Sequence, residues 1–388
     1  MGSKEKMKAI VWMILPLVGV LIAAPAVLAK EPYKIGGLFS VTGPTSFLGD
    51  PEKKSLEMAI EEINAQGGID GHMLEAVIRD TEGIPDKTVL GANELISNEK
   101  VLAIIGPSLT QTTLSIVPLA EKEKVPLISC AAGIEITEPV KPWVFKTAQS
   151  DVLAVSTIYE YMKKQNIKKV GILTVENSFG ESGKKQLSTQ AAKFGIEVVQ
   201  AESFGGKDTD MTAQLTKIRS AQPDAIICWG TNPGPAVVAR NIQQMSIKVP
   251  LYQSHGVASP KFIELAGDAS EGILLPSGKI LVSEQLADKD PQKAVLKKYI
   301  EDYEKKFKVP VSGFGGYAYD AMHLLAKAMK GTEGDREKIR AALEKIQGHV
   351  GISGTFNFSA TEHNGLGADA FVMLQIKDGK WKLLGQDK

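Results

Sequence analysis

KIGGLF (34–39), DPEKKSLEMAIEEIN (50–64), LEAVIRD (74–80), PDKTVLGANELIS (85–97), VLAIIG (101–106), QTTLSIVPLAEKE (111–123) and PLIS (126–129) follow one another along the chain. Short apolar runs alternate here with stretches whose apolar residues return every three or four positions, as Leu56, Ile60 and Ile63 do with Met58 beside them. The first pattern is that of a buried strand and the second that of an amphipathic helix. Gly67-Gly68 closes the helix at 50–64, because glycine accepts the left-handed conformation of a C-cap. Strands separated by helices must pair in parallel through right-handed crossovers. The outcome is an open, doubly wound α/β sheet.

The rhythm restarts after Thr147. Helices are expected at 151–164, opened by Ser150 or Asp151 as cap, and at 180–194, 212–220 and 235–245. Strands are expected at 170–175, 197–204, 225–229, 251–253 and 273–275. A helical block follows at 291–307, 316–329 and 335–346. The tail then changes period, with 371–376 and 380–384 flanking Asp378-Gly379, a two-residue hairpin signal. A length of 388 residues fits two such α/β domains. Ligands of packed sheets of this kind bind in the crevice at the carboxyl ends of the strands.

The composition excludes several classes. At 43% hydrophobic and 23% charged residues the chain is globular rather than disordered. Lys+Arg and Asp+Glu balance at 45 each and only 6% of residues are aromatic, which argues against nucleic acid as a partner. Residues 1–29 have the form of an export signal: Lys4, Lys6 and Lys8, an apolar run over 9–28 broken by Pro16 and Pro25, and Val27-Leu28-Ala29 before the cut. The alternative is a membrane anchor, which the prolines and the polar chain beyond disfavour. No Cys lies near the cut to carry a lipid. Cleavage after Ala29 removes three Lys and one Glu and leaves 359 residues of net charge −2, expected in the periplasm.

No enzyme signature stands out. G-x-S-x-G, a P-loop and H-E-x-x-H are absent, and His72, His255, His323, His349 and His363 lack metal-ligand spacing. No metal or cofactor is therefore expected. Gly313-Phe314-Gly315-Gly316-Tyr317-Ala318 imitates a dinucleotide fingerprint but follows no strand, so a glycine-rich helix entry is the better reading. Cys130 and Cys228 end strands in different lobes; two buried thiols fit this better than a disulfide locking the lobes together. Gly106-Pro107-Ser108-Leu109-Thr110-Gln111 joins a strand to a helix, with N–H groups and hydroxyls suited to an anion. Ser129-Cys130-Ala131-Ala132-Gly133 ends the next strand in small residues that let a ligand touch backbone.

These segments, with Ile35-Gly36-Gly37-Leu38, Thr42-Gly43-Pro44, Gly49-Asp50, Ile63 to Gly71, Asp80, Ser178-Phe179-Gly180 and Tyr319-Asp320-Ala321, form an ordered set. As such a set the chain resembles the branched-chain amino acid type of periplasmic solute-binding protein, the receptor component of an ABC importer. The resemblance covers nearly all of the mature chain. It implies two doubly wound, Rossmann-like α/β lobes joined by a three-strand hinge, as in type I periplasmic binding proteins. Its crossovers would lie near 147–150, 276–280 and 348–354. Lobe one would be 31–147 plus 277–347, and lobe two 149–276 plus 354–388. The resemblance also implies a monomer that closes on its ligand and presents the closed form to a membrane permease.

The resemblance assigns a ligand-binding set: Leu48, Ser108, Leu109, Thr110, Ala131, Ala132, Gly133, Phe179, Trp229, Thr231 and His255. Thr110 takes the family's hydroxyl position for the ligand carboxylate and Ala131 its backbone position. A further hydroxyl position falls on Gly133, so that contact is missing. The acid that meets the ligand ammonium in amino-acid-binding members is replaced by His255, in Tyr252-Gln253-Ser254-His255-Gly256. Leaving a buried ammonium without its carboxylate costs about 3–5 kcal/mol. The implied ligand is an aromatic or other apolar organic acid, with His255 donating a hydrogen bond to its carboxylate or to a hydroxyl. If the alignment slips by a residue or two, Glu271 is the nearest downstream acid. Phe179 and Trp229 suit a flat ligand, although Trp229 also reads as a core aromatic. A branched-chain amino acid receptor and a ligand-sensing module of a signalling system are the alternatives.

Overall fold

The computed structural model describes residues 30–385. The expected export signal and its cut after Ala29 lie outside the described residues. Among the described residues, no helix is long and apolar enough to cross a membrane.

Two sheets organise the chain. The first is built from β1 (Tyr33–Phe39), β2 (Leu74–Asp80), β3 (Ala103–Ile105), β4 (Leu127–Ser129) and β5 (Val144–Lys146), in spatial order β2-β1-β3-β4-β5 and parallel throughout. Its helices are α1 (Ser46–Ala65), α2 (Pro85–Ser97) and α3 (Thr110–Glu123). The second holds β6 (Lys169–Val175), β7 (Glu197–Phe204), β8 (Ala225–Trp229), β9 (Leu251–Gln253) and β10 (Leu274–Ser277), all parallel. Its helices are α4 (Asp151–Lys164), α5 (Ser178–Gln190), α6 (Thr212–Ser220), α7 (Gly234–Gln244) and α8 (Pro260–Ala266). Both units are doubly wound, as the alternating pattern requires.

The later helices α9 (Lys293–Phe307), α10 (Gly313–Met329) and α11 (Arg336–Leu343) bury Leu296, Tyr299, Leu325 and Leu343 in the same core as Phe39 and Leu56. A small antiparallel pair follows, β11 (His349–Val350) and β12 (Thr355–Phe356). The tail hairpin forms as its turn demands: β13 (Val372–Lys377) runs antiparallel to β10, and β14 (Lys380–Leu383) to β13.

Four features depart from the sequence reading. β5 was not expected; three residues are too few to show a period. α1 starts at Ser46 rather than 50, since a turn forms ahead of Pro51 and buries Leu48. α10 starts at Gly313 and absorbs the glycine-rich motif. A Cβ on Gly315 would lie 2.5 Å from the Tyr299 hydroxyl, and one on Gly316 2.5 Å from Ile352, so these glycines serve close packing. Finally, residues 354–366, expected with the second lobe, pack on the first sheet. Phe356 and Phe358 are in its core, and His363 stacks on Phe145 at 4.0 Å.

The passages between the sheets are tied together by side chains. The Gln149 amide donates to Ser353 O (2.8 Å) and accepts from the Tyr317 hydroxyl (2.9 Å). Asn364 donates to Ala148 O (2.9 Å), and Thr147 to Tyr317 O (2.8 Å). Buried amides bonded in this way fix a strand passage without secondary structure.

Candidate ligand-binding cleft

The segments after β1, β3, β4 and β5 meet those after β6, β8 and β9 around a cavity of about 400 Å³, part of it open to solvent. Leu48, Leu109, Ala131, Ala132, Phe179 and Phe314 give it an apolar wall; Glu52, Ser108, Thr110, Thr231, His255 and Tyr317 are its polar side chains.

The first lobe supplies an uncapped helix start and a hydroxyl. Leu109 caps α3 in extended conformation without a side-chain bond, and the first intrahelical bond is that from the Thr113 N–H to Leu109 O (2.9 Å). The preceding N–H groups therefore sit at the positive end of the helix. Thr110 Oγ1 accepts from the Gly133 N–H (3.2 Å), which leaves its own proton free to donate into the cavity. Gly133 is glycine for a reason: a Cβ there would meet Thr110 Cγ2 at 2.4 Å.

Ser108 is spoken for. Its hydroxyl donates to Glu52 Oε2 and accepts from the Ser40 N–H (3.1 Å). Glu52 is only 1% exposed, and its Oε1 has no hydrogen-bond partner. Burial pushes Glu52 well above the usual carboxylate range, with the Ser108 bond opposing. The Ala131 N–H is likewise engaged, by Ser129 Oγ at 3.1 Å.

The second lobe supplies aromatic rings around one imidazole. His255 stands edge-on to Phe179, Trp229 and Phe371, with centroids 5.6, 5.7 and 5.3 Å away. Both its nitrogens are buried without a hydrogen-bond partner, and Nε2 lies 3.9 Å from Asp151 Oδ1. Burial lowers its pKa to about 3, with the Lys146 charge adding to the effect, so the ring is neutral. Asp151 opens α4 and is fully buried; burial raises its pKa while Ser182 and the charge of Lys146 pull it back. Lys146 ends β5, also fully buried, with its ammonium on Ala132 O at 2.6 Å.

Of the residues expected at the site, Leu48, Ser108, Leu109, Thr110, Ala131, Ala132, Phe179, Thr231 and His255 line the cavity. Gly133 and Trp229 do not. Gly133 backs Thr110. Trp229 is fully buried, because Gly183 has no side chain to keep the indole away and Phe179 and His255 cover it. Glu271 lies elsewhere, accepting from the Asp378 and Gly379 N–H groups of the tail turn (3.1 and 3.4 Å). Sequence reasoning missed Glu52, Ala148, Gly256, Phe314 and Tyr317, while Cys130, in the small-residue end of β4, also lines the cavity. Glu52 lies on the buried face of α1, where a charged residue at a core position was the available signal. Both cysteines are free and buried.

Two doubly wound lobes that meet around a cavity at their strand ends define a solute-binding protein with the type I periplasmic fold. The family described as periplasmic binding protein matches residues 32–380, and the chain belongs to it, in its branched-chain amino acid type. A leucine-, isoleucine-, valine-, threonine- and alanine-binding protein of Pseudomonas aeruginosa is 28% identical over 319 residues, 81% of this chain and 83% of that protein. Among solved structures, an extracellular ligand-binding receptor from Rhodopseudomonas palustris aligns with TM-score 0.85 at 28% identity, covering 91% of this chain and all of that one. The branched-chain amino acid transporter substrate-binding protein LivJ of Streptococcus pneumoniae, solved with isoleucine, aligns with TM-score 0.81 at 28% identity, over 90% and 98% of the chains.

Proposed function

We propose that the protein is the exported receptor of an ABC importer and captures a small carboxylate with an apolar body, an aromatic or other apolar organic acid. The observation that carries this is the Thr110 hydroxyl, proton free, beside the uncapped start of α3 in a cavity whose other walls include Leu48, Leu109, Phe179 and Phe314. A carboxylate there gains charge-assisted hydrogen bonds, and the rings and aliphatic side chains bury the remainder. His255 is neutral and offers no counter-charge to an ammonium.

In this reading residues 1–29 are a signal peptide, cleaved before the mature monomer works in the periplasm. Lobe one is 31–147 with 277–347 and, on its packing, 354–366; lobe two is 149–276 with the tail. The crossovers are the segments near 147–150 and 276–280 and the stretch around 367–371. Closure of the lobes over the ligand is what the permease reads.

A second reading has specific support. The relatives include branched-chain amino acid-binding proteins, and Glu52 places one carboxyl in the cavity. Ionised, it would meet an ammonium. A thermal-shift screen of protein unfolded and refolded to strip carried-over ligand separates the two. A ligand at a hundred times its Kd stabilises by about 2.7 kcal/mol. Shifts with organic acids alone support the first reading; shifts with leucine, isoleucine or valine overturn it.

A further inference from the structure

Both imidazole nitrogens of His255, at the edge of the cavity, are buried without a hydrogen-bond partner. Orphaned buried polar atoms are costly and uncommon, so the pair beside the cavity marks a place built for a ligand's polar group. Only one nitrogen of a neutral imidazole carries a proton. The acid behind Nε2, at 3.9 Å, decides which one: a lone pair aimed at a carboxylate is repelled, and a proton there is attracted. Burial raises the Asp151 pKa, and against it the Ser182 hydroxyl and the charge of Lys146, acting from the end of β5, support the carboxylate form. Nδ1 is then the nitrogen that can only accept.

We propose that Asp151 positions His255 through Nε2–H, so that His255 offers Nδ1 as an acceptor and selects a ligand carrying a hydroxyl across the cleft from the carboxylate seat at Thr110. This rests on the organic-acid reading above and narrows it from apolar acids to their hydroxylated members. It also reverses the expected role of His255 from donor to acceptor. An ammonium is the poorer donor here, because Lys146 already offsets the Asp151 charge. Asp151 does not line the cavity, so its part is positioning rather than contact.

The test is a set of matched pairs titrated calorimetrically into stripped protein: benzoate against para-hydroxybenzoate, phenylpropanoate against its para-hydroxy derivative, hexanoate against its terminal hydroxy acid, and leucine alone. A site built to bond a hydroxyl rejects the analogue that lacks it. The hydroxylated member of at least one pair is expected to bind tenfold or more tightly. Asp151→Asn should shrink that ratio while leaving the affinity for the unhydroxylated member within a few fold, and His255→Phe should abolish it. The ratio is a readout that loss of stability alone would not move. Hydroxylated members that bind no better in every pair, or a ratio unchanged in Asp151→Asn, would overturn the inference while the organic-acid reading stands. If no acid binds, that reading falls as well, and the leucine arm tells whether the amino acid reading replaces it.

Discussion

Acidification should destabilise this protein through one imidazole. Burial, with the Lys146 charge adding to it, holds His255 at a pKa of about 3, against 6.5 when solvated. Between those values the unfolded chain binds a proton that the folded chain does not. The contribution of a neutral His255 is therefore complete above the solvated pKa and is lost progressively as pH falls. At about 1.4 kcal/mol per pH unit, the loss reaches about 3 kcal/mol near pH 4. Asp151 works in the opposite sense, since burial raises its pKa and acid relieves it. It is present in wild type and variant alike and drops out of their difference. The comparison is with His255→Gln, neutral at every pH, by urea denaturation at several values between neutrality and about pH 4. Wild type should lose about 3 kcal/mol more than the variant across that range. Parallel stability curves would refute the reasoning, for they would mean that His255 takes up its proton in the folded state and pairs with Asp151.

Thr110→Val keeps the shape but removes the hydroxyl; affinity for whichever carboxylate binds should fall about 10- to 100-fold, and an unaltered Kd would take Thr110 out of the ligand contacts. Gly133→Ser should lower stability by about 1–3 kcal/mol through the collision with Thr110 Cγ2; thermal melts would show it, and adding Thr110→Ser should recover most of the loss. Ser108→Ala strips Glu52 of its one hydrogen-bond partner and should cost about 1–3 kcal/mol of stability in denaturant titration. Glu271→Gln should leave every ligand affinity unchanged, since that carboxylate holds the tail turn; an altered Kd would reopen it as the partner of an ammonium.

Periodicity alone carried the two α/β units. Alternation of apolar runs with three-to-four-residue spacing, Gly67-Gly68 as a stop and Asp378-Gly379 as a hairpin turn are local signals, set by backbone geometry, and each produced the element it implied. The strand-to-helix passage after β3 and the small-residue end of β4 were legible for the same reason, because a strand end followed by a helix start is a local event. What only the tertiary structure decided is which side chains share a space. Trp229 and Gly133 withdraw from the cavity because Gly183 and Thr110 lie against them from distant parts of the chain. Lys146, Asp151 and His255 come from the ends of one strand and the starts of two later elements. Their importance is that each is deprived of water by the others' neighbours, and no spacing along the sequence records desolvation. The stretch at 354–366 follows the same rule: its place was set by where Phe356, Phe358 and His363 could be buried, against Phe145 more than 200 residues earlier.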